Sequence, residues 1–260
     1  MNKILISLSA IFILAAFLYS QEKPAVIHVT EDIEIAKLSD HAYIHTTYAD
    51  MPPWKRVASN GLIFISLGKV FLFDTPANDT LTETLIKWIE KELKAEVIGV
   101  IPNHWHADCM GGLNYIHKRK IQSFSYEMTR QIAMEKNLPV PFRGFPDSLV
   151  LKLGNMKVIS KFFGAAHSMD NITTWIPSEK ILFAGCMVRS MESTSLGHTA
   201  DGDIKEWPNT LQKVMDAYPD AKIVIPGHGQ YGGIELIQHT IELLKKNEYK
   251  DKKDTVPNNQ

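Results

Sequence analysis

One ten-residue stretch gathers most of the side chains that could do chemistry together: Asn103-His104-Trp105-His106-Ala107-Asp108-Cys109-Met110-Gly111-Gly112. Positions 104–109 hold two imidazoles, a carboxylate and a thiol. In an extended or tightly looped backbone, positions i, i+2 and i+4 point roughly to one side. His104, His106 and Asp108 can therefore converge on one spot, whereas a helix would spread them round its circumference. Borderline metals such as zinc favour nitrogen, oxygen and sulfur donors of this kind. Gly111 and Gly112 would let the backbone pass close to whatever occupies that spot. The stretch is expected to form part of a metal site, with further ligands drawn from elsewhere in the chain.

Three later stretches each present one such donor in a small-residue loop just beyond an apolar run. They are Gly164-Ala165-Ala166-His167-Ser168, Ala184-Gly185-Cys186 and Pro226-Gly227-His228-Gly229. With these, His104, His106, His167, His228, Asp108 and Cys186 make six candidate ligands. A closed structural zinc needs about four ligands, whereas six divide into two sites of three, each with a position open to water, the arrangement of catalytic zinc. His28, His41, His45, His117 and His239 sit in strand or helix patterns without companions and read as structural. Asp74 ends a strand pattern and reads either as a carboxylate beside the site or as a turn residue.

These donors must be held by a scaffold of strands with interspersed helices. Apolar runs predict strands within 26–38 and at 41–45, 62–65, 69–73, 97–101, 121–124, 148–153, 157–163, 172–176, 181–183 and 223–225. Helical spacing predicts helices at 80–93, 113–118, 126–136, 207–218 and 234–246, the first opened by a Thr80-x-x-Glu83 capping box. The opening motif then lies in a strand-to-helix loop, the usual place for chemistry in α/β architecture. Pro52 and Pro53 exclude a central strand from 48–57, which reads as an exposed loop. Its Trp54 covers either a satellite cluster or, as part of a mobile flap, a ligand. The pattern as a whole predicts an α/β fold with two mixed sheets.

The chain of 260 residues can bury a full core as one large domain. Its formal net charge is −1, or −2 without Lys3, so no basic excess points to nucleic acid. Residues 1–20 read as a signal peptide: Lys3 precedes an apolar run of 15 residues, 4–18, which is short of the roughly 20 needed to span a bilayer. The mature protein, a single domain at 21–260 with a polar tail from about 247, is expected to be exported, periplasmic and without stable membrane association. The two cysteines, Cys109 and Cys186, lie inside dense polar motifs rather than in a disulfide framework, and a thiolate metal ligand is expected of at least one.

The decad, the Gly-x-x-His, the Leu-Phe-Ala-Gly-Cys-Met and the Pro-Gly-His-Gly strings together resemble the class B metallo-β-lactamases, in their first, dizinc, broad-spectrum subclass, over roughly residues 28–245. The resemblance is specific, because most other hydrolases of that superfamily carry histidine where Cys109 stands and lack Cys186. It implies a four-layer αβ/βα sandwich with two Zn2+ per chain. His104, His106 and His167 would hold one, and Asp108, Cys186 and His228 the other. Cys109 would be a neighbour of the site. It further implies hydrolysis of the lactam amide of penicillins, cephalosporins and carbapenems by a zinc-bound hydroxide that Asp108 helps orient, conferring antibiotic resistance. The substrate would be the small-molecule partner of a monomer.

Two positions depart from the family pattern. Arg189 stands where the family usually has the lysine that pairs with the substrate carboxylate, and His198 where it usually has an asparagine near the lactam carbonyl. Trp54 corresponds to the exposed aromatic of the family's flap. The alternatives are another metal-dependent hydrolase of the superfamily, acting on a lactone or thioester, and a periplasmic zinc-binding protein without activity.

Overall fold

The computed structural model describes residues 25–254, so the leader at 1–20 and the last six residues lie outside the described part. The chain begins with β1 (Val26–Thr30), β2 (Ile33–Lys37), β3 (Ala42–Met51), β4 (Trp54–Ser66) and β5 (Lys69–Phe73). Helix α1 (Asp79–Glu92) and β6 (Glu96–Ile101) lead into α2 (Ala107–Met110) and α3 (Leu113–Lys118). Next come β7 (Gln122–Tyr126), α4 (Glu127–Glu135), β8 (Arg143–Phe145), β9 (Ser148–Leu153) and β10 (Met156–Phe162). The remainder is β11 (Ile172–Ile176), β12 (Ile181–Gly185), α5 (Trp207–Ala217), β13 (Ile223–Pro226) and α6 (Glu235–Asp254).

The strands form an eight-stranded sheet in simple sequence order, β1 to β8, and a five-stranded sheet ordered β13-β12-β11-β10-β9. Both sheets are mixed: β5, β6, β7 and β8 run parallel to one another, and β12 is parallel to β13. The period-2 side-chain rule explains why strands covered on both faces read as continuous apolar runs. In β5, Val70 and Leu72 face a core with Leu85, Ile86 and Ile89 of α1, while Phe71 and Phe73 face the other sheet. In β12, Leu182 and Ala184 pack with Trp207 and Leu211 of α5, while Ile181 and Phe183 join Phe71 and Phe73 between the sheets. The layers are therefore helix, sheet, sheet, helix, as expected. Among the described residues no helix is long and apolar enough to cross a membrane.

Three local expectations change. The stretch 48–57 is the tip of a long β3–β4 hairpin, not a loop: Met51 pairs with Trp54 across Pro52 and Pro53. Prolines are tolerated there because a turn requires no ladder N–H. Helix α1 is capped by Asn78, whose Oδ1 accepts the Leu81 N–H at 2.9 Å, rather than by Thr80. Gly111 and Gly112 do permit close approach, but on another side. A Cβ on Gly111 would lie 2.2 Å from the Ala77 carbonyl oxygen, and one on Gly112 1.9 Å from Thr82 Oγ1. The room they leave is filled by the chain entering α1 and by α1 itself.

His45, on β3, is 1% exposed; its Nε2 donates to the Asp74 carbonyl at 3.3 Å. Burial pushes its pKa down to about 4, against the pull of the Asp74 and Phe73 carbonyls. The unfolded chain, titrating near 6.5, then takes up this proton first as pH falls. The contribution is constant above pH 6.5 and is lost between 6.5 and 4, amounting to about 3 kcal/mol by pH 4. Urea unfolding across that window should show a shallower loss in His45→Gln than in the unaltered chain. Equal slopes would remove His45 from the acid response.

Candidate metal centre

Each candidate ligand lies beyond the C-terminal end of a strand, where the two sheets meet. His104 and His106 follow β6, with Asp108 starting α2 two residues on; His167 follows β10, Cys186 follows β12 and His228 follows β13. The edge is pinned by two buried asparagines. Asn60 of β4 donates its backbone N–H to the Gly227 carbonyl at 2.8 Å and its Nδ2 to the Pro226 and Gly229 carbonyls at 3.0 and 2.8 Å. Asn103 donates its N–H to Asp74 and its Nδ2 to the Ile172 carbonyl, and its own carbonyl accepts the Ile172 N–H at 3.0 Å. Asp74 is thus a buried carboxyl directly behind the histidine motif. Burial raises its pKa well above the carboxylate range, against the Asn103 N–H and the Cys109 thiol.

The six donors converge in overlapping groups of three, among them Asp108, Cys186 and His228, so that two triads can be drawn. His104 Nε2 and His167 Nε2 lie 2.9 and 3.2 Å from His106 Nδ1. Cys186 Sγ lies 3.4 Å from both Asp108 Oδ2 and His228 Nε2, which are 3.3 Å apart. Zinc bonds of about 2.0–2.3 Å in tetrahedral array separate neighbouring donors by roughly 3.3–3.6 Å. The second triad matches that spacing, and the two distances to His106 Nδ1 are slightly shorter.

The remote ring nitrogens show which way the lone pairs point. His104 Nδ1 bonds Asn103 Oδ1 at 3.1 Å, His106 Nε2 bonds Asp201 Oδ2 at 3.0 Å, and His228 Nδ1 bonds the Ala58 carbonyl at 2.7 Å. Each acceptor holds its ring's N–H outward and turns the other nitrogen toward the donors. In His228, against burial, Cys186 and Asp108 raise the pKa well above the usual histidine value, so without a metal its inner nitrogen holds a proton that a bound cation would displace. Inner lone pairs aimed at one point repel one another unless a cation lies between them. The donor set therefore fits zinc. Cys109 Sγ stands behind this ring set, 3.2 Å from His104 Nδ1, and both cysteines are free thiols.

The electrostatics agree. Burial, then the neighbouring imidazoles, hold His104 well below its ordinary pKa and bring His167 down to about 3, so both rings are neutral. Burial alone would push Asp108 up, but the hydrogen bond and charge of His228 outweigh it and hold the carboxylate below its usual range. The bond from Cys109, opposed by burial, brings the Cys186 thiol down to about 7, within reach of the thiolate that binds metal. Cys109 is pushed the other way, chiefly by burial.

A cavity of about 860 Å³ opens over both triads, lined by Trp54, His106, Asp108, His167, Arg189, His198 and His228 among others. The Arg189 backbone is fixed by its N–H bond to Thr240 Oγ1 at 2.8 Å, and its guanidinium lies against Gly197. His198 Nε2 is engaged by Asp201 Oδ2 at 2.7 Å. Trp54, 52% exposed, hangs over the cavity from the hairpin tip.

No family model matches the chain. The Bacteroides fragilis "Metallo-beta-lactamase type 2" is 43% identical over 241 residues, covering 92% of this chain and 97% of the relative. The Bacillus cereus protein of the same name is 35% identical over 224 residues, covering 86% and 87%. The chain belongs to the metallo-β-lactamase family, class B1. Solved structures of metallo-β-lactamases superpose over about four-fifths of the chain: that from Pontibacter korlensis has a TM-score of 0.79 at 35% identity, covering 82% of this chain and 99% of that one. The DIM-1 enzyme exposed to ceftazidime gives 0.79 at 34%, covering 83% and 98%.

In this metallo-β-lactamase, sequence reasoning overlooked Asn60, Asp201 and Trp207. Trp207 is fully buried, donates its Nε1–H to the Met187 carbonyl at 2.8 Å and lies edge-on to the His167 ring at 6.0 Å. It supports both the Cys186 loop and the His167 loop. Asn60 stands in the polar Ser59-Asn60-Gly61 stretch before the apolar run of β4, which gave no cue to its role. Trp207 gave none, because the Met187 carbonyl and the His167 ring it meets are distant in sequence, and neither did Asp201, whose bond to His106 spans 95 residues.

Proposed function

We propose that this chain is a periplasmic dizinc β-lactamase, carried out of the cytoplasm by the leader at 1–20, that opens the lactam amide of penicillins, cephalosporins and carbapenems and so confers resistance to them. The observation that carries this is the convergence of six donors in overlapping groups of three. They lie beneath one cavity, in a chain related over nine-tenths of its length to a metallo-β-lactamase. We assign His104, His106 and His167 to one zinc and Asp108, Cys186 and His228 to the other.

When bound, zinc supplies Lewis acidity toward the lactam and makes a water acidic near neutral pH, with a pKa of about 7. The protein's part is to hold neutral rings and ionised Asp108 and Cys186 in register, so that no reorganisation is needed during reaction. Asp108, kept ionised by His228, accepts a hydrogen bond from the attacking water and orients it. Arg189 reaches the same cavity and can pair bidentately with the substrate's carboxylate. Trp54 contributes an apolar surface above the lactam that reduces solvent access. With hydrolysis by water, no side-chain nucleophile is required. All six donors come from one chain, which is consistent with a monomer.

Arg189→Ala should raise KM for a penicillin about tenfold with kcat largely retained, since the lost ion pair acts mainly in binding. Unchanged KM would leave Arg189 outside the substrate site. The function itself is tested by carbapenem hydrolysis with purified, zinc-loaded protein. Turnover that chelator abolishes and zinc restores is expected. No turnover of any β-lactam class with both zincs bound would refute the activity.

A further inference from the structure

His198 occupies a junction that binding substrate does not require. Its Nε2 lies 2.7 Å from Asp201 Oδ2, and the same oxygen lies 3.0 Å from His106 Nε2. One carboxylate oxygen has lone pairs for two donors, so both imidazoles give it their Nε2–H and Asp201 is clamped between them. On its other side the His198 ring meets the edge of Trp54, with centroids 6.0 Å apart and planes at 78°. The segment carrying His198 is itself anchored: the Asp201 carbonyl accepts the Met169 N–H at 3.1 Å, and the Asp203 N–H donates to the Ala166 carbonyl at 2.9 Å. The hairpin tip beyond the Ala49–Val57 pair is crossed by the Met51–Trp54 pairing and the Arg56 N–H to Asp50 Oδ1 bond at 2.8 Å. On its Arg56 side it is tied to Asp32 and the Glu31 carbonyl, which leaves the Trp54 side held by the contact with His198. The Trp54–His198 contact thus joins the tip to the body of the protein at a fixed point.

We propose that His198 is a positioning residue that couples the flap to the three-histidine cluster. Through Asp201 it fixes the rotation of the His106 ring, and through its own ring it seats Trp54 over the cavity. With its Nε2–H committed to Asp201, His198 is not the hydrogen-bond donor toward the lactam that its sequence position implies. The flap half of this coupling concerns the protein alone; the cluster half rests on the assignment of His106 as a zinc ligand.

Two substitutions separate the halves. His198→Ala removes both contacts. His198→Gln removes the ring but keeps an N–H donor that reaches Asp201. In the metal-free protein, amide hydrogen exchange in the peptide covering 48–57 should be about threefold faster or more in both variants and in Trp54→Ala, with core strands unchanged. Cobalt(II) affinity, read from its absorption bands, should fall about tenfold in His198→Ala and stay near that of the unaltered chain in His198→Gln and Trp54→Ala. Flap exchange unchanged in His198→Ala, or exchange accelerated equally throughout the chain, would overturn the coupling. So would equal loss of cobalt affinity in the alanine and glutamine variants. Because exchange is read without metal or substrate, a failure of the lactamase assignment would leave the flap result standing.

Discussion

Replacing Cys186 by alanine is expected to lower kcat/KM for every β-lactam class by roughly 10²–10³-fold, because it removes metal-derived transition-state stabilisation of several kcal/mol. Cys186 is 2% exposed at the end of β12, with its sulfur equidistant, at 3.4 Å, from Asp108 Oδ2 and His228 Nε2. The backbone packs directly against it, since a Cβ on the neighbouring Gly227 would collide with that sulfur. The pocket is tailored to a thiolate. The Asp108–His228 pair left behind offers two donors, too few for a catalytic zinc. The three-histidine triad is untouched, so binding of one metal should survive while turnover collapses. Metal-free Cys186→Ala should unfold at nearly the same urea concentration as the unaltered chain. Near-normal turnover in this variant would show that the second triad is not part of the reaction.

The second large effect falls on stability. Trp207→Ala should lower the unfolding free energy of the metal-free protein by about 3–5 kcal/mol, the usual loss for deleting a buried large aromatic. Trp207 is the largest fully buried side chain and lies in the core shared by α5, α6 and β12. Its removal also leaves the Met187 carbonyl without the indole N–H it accepts at 2.8 Å. Since Met187 follows Cys186, and the His167 ring packs against the same indole, the fraction that remains folded should also bind metal less tightly. Trp207→Phe, which keeps most of the volume but not the N–H, should fall between. A loss under about 1 kcal/mol for the alanine variant would contradict the close packing of this core.

Much of the scaffold was legible because both sheets are covered on two faces. Strands such as β6, β12 and β13 are then short, uninterrupted apolar runs, and Pro102, Gly185 and Gly227 mark where each ends. His167, Cys186 and His228 stood out because each follows such a run in a loop of small residues, and His104, His106 and Asp108 because they cluster just after β6. What was not legible depended on partners far away in sequence. The hairpin character of 48–57 comes from β3 pairing with β4 along its whole length, which overrides the local signal of two prolines. Asn78 supplanted Thr80 as the cap of α1 by a shift of two residues, the usual ambiguity at a helix end. Gly111 and Gly112 were expected to let the backbone approach the occupant of the site, whereas the tertiary packing sets them against Ala77 and Thr82 at the start of α1. Likewise, the position of His198 invited a substrate role, whereas Asp201, three residues on, takes its Nε2 and joins it to His106.

The central claim is that six donors form two separate zinc sites of three ligands each. Native mass spectrometry of the metal-free protein titrated with zinc tests it most directly, comparing the unaltered chain with His167→Ala and Cys186→Ala. Saturation at two zincs for the unaltered chain and one for each variant is the expected result. A single zinc in the unaltered chain, or two retained in both variants, would contradict the division of the donors.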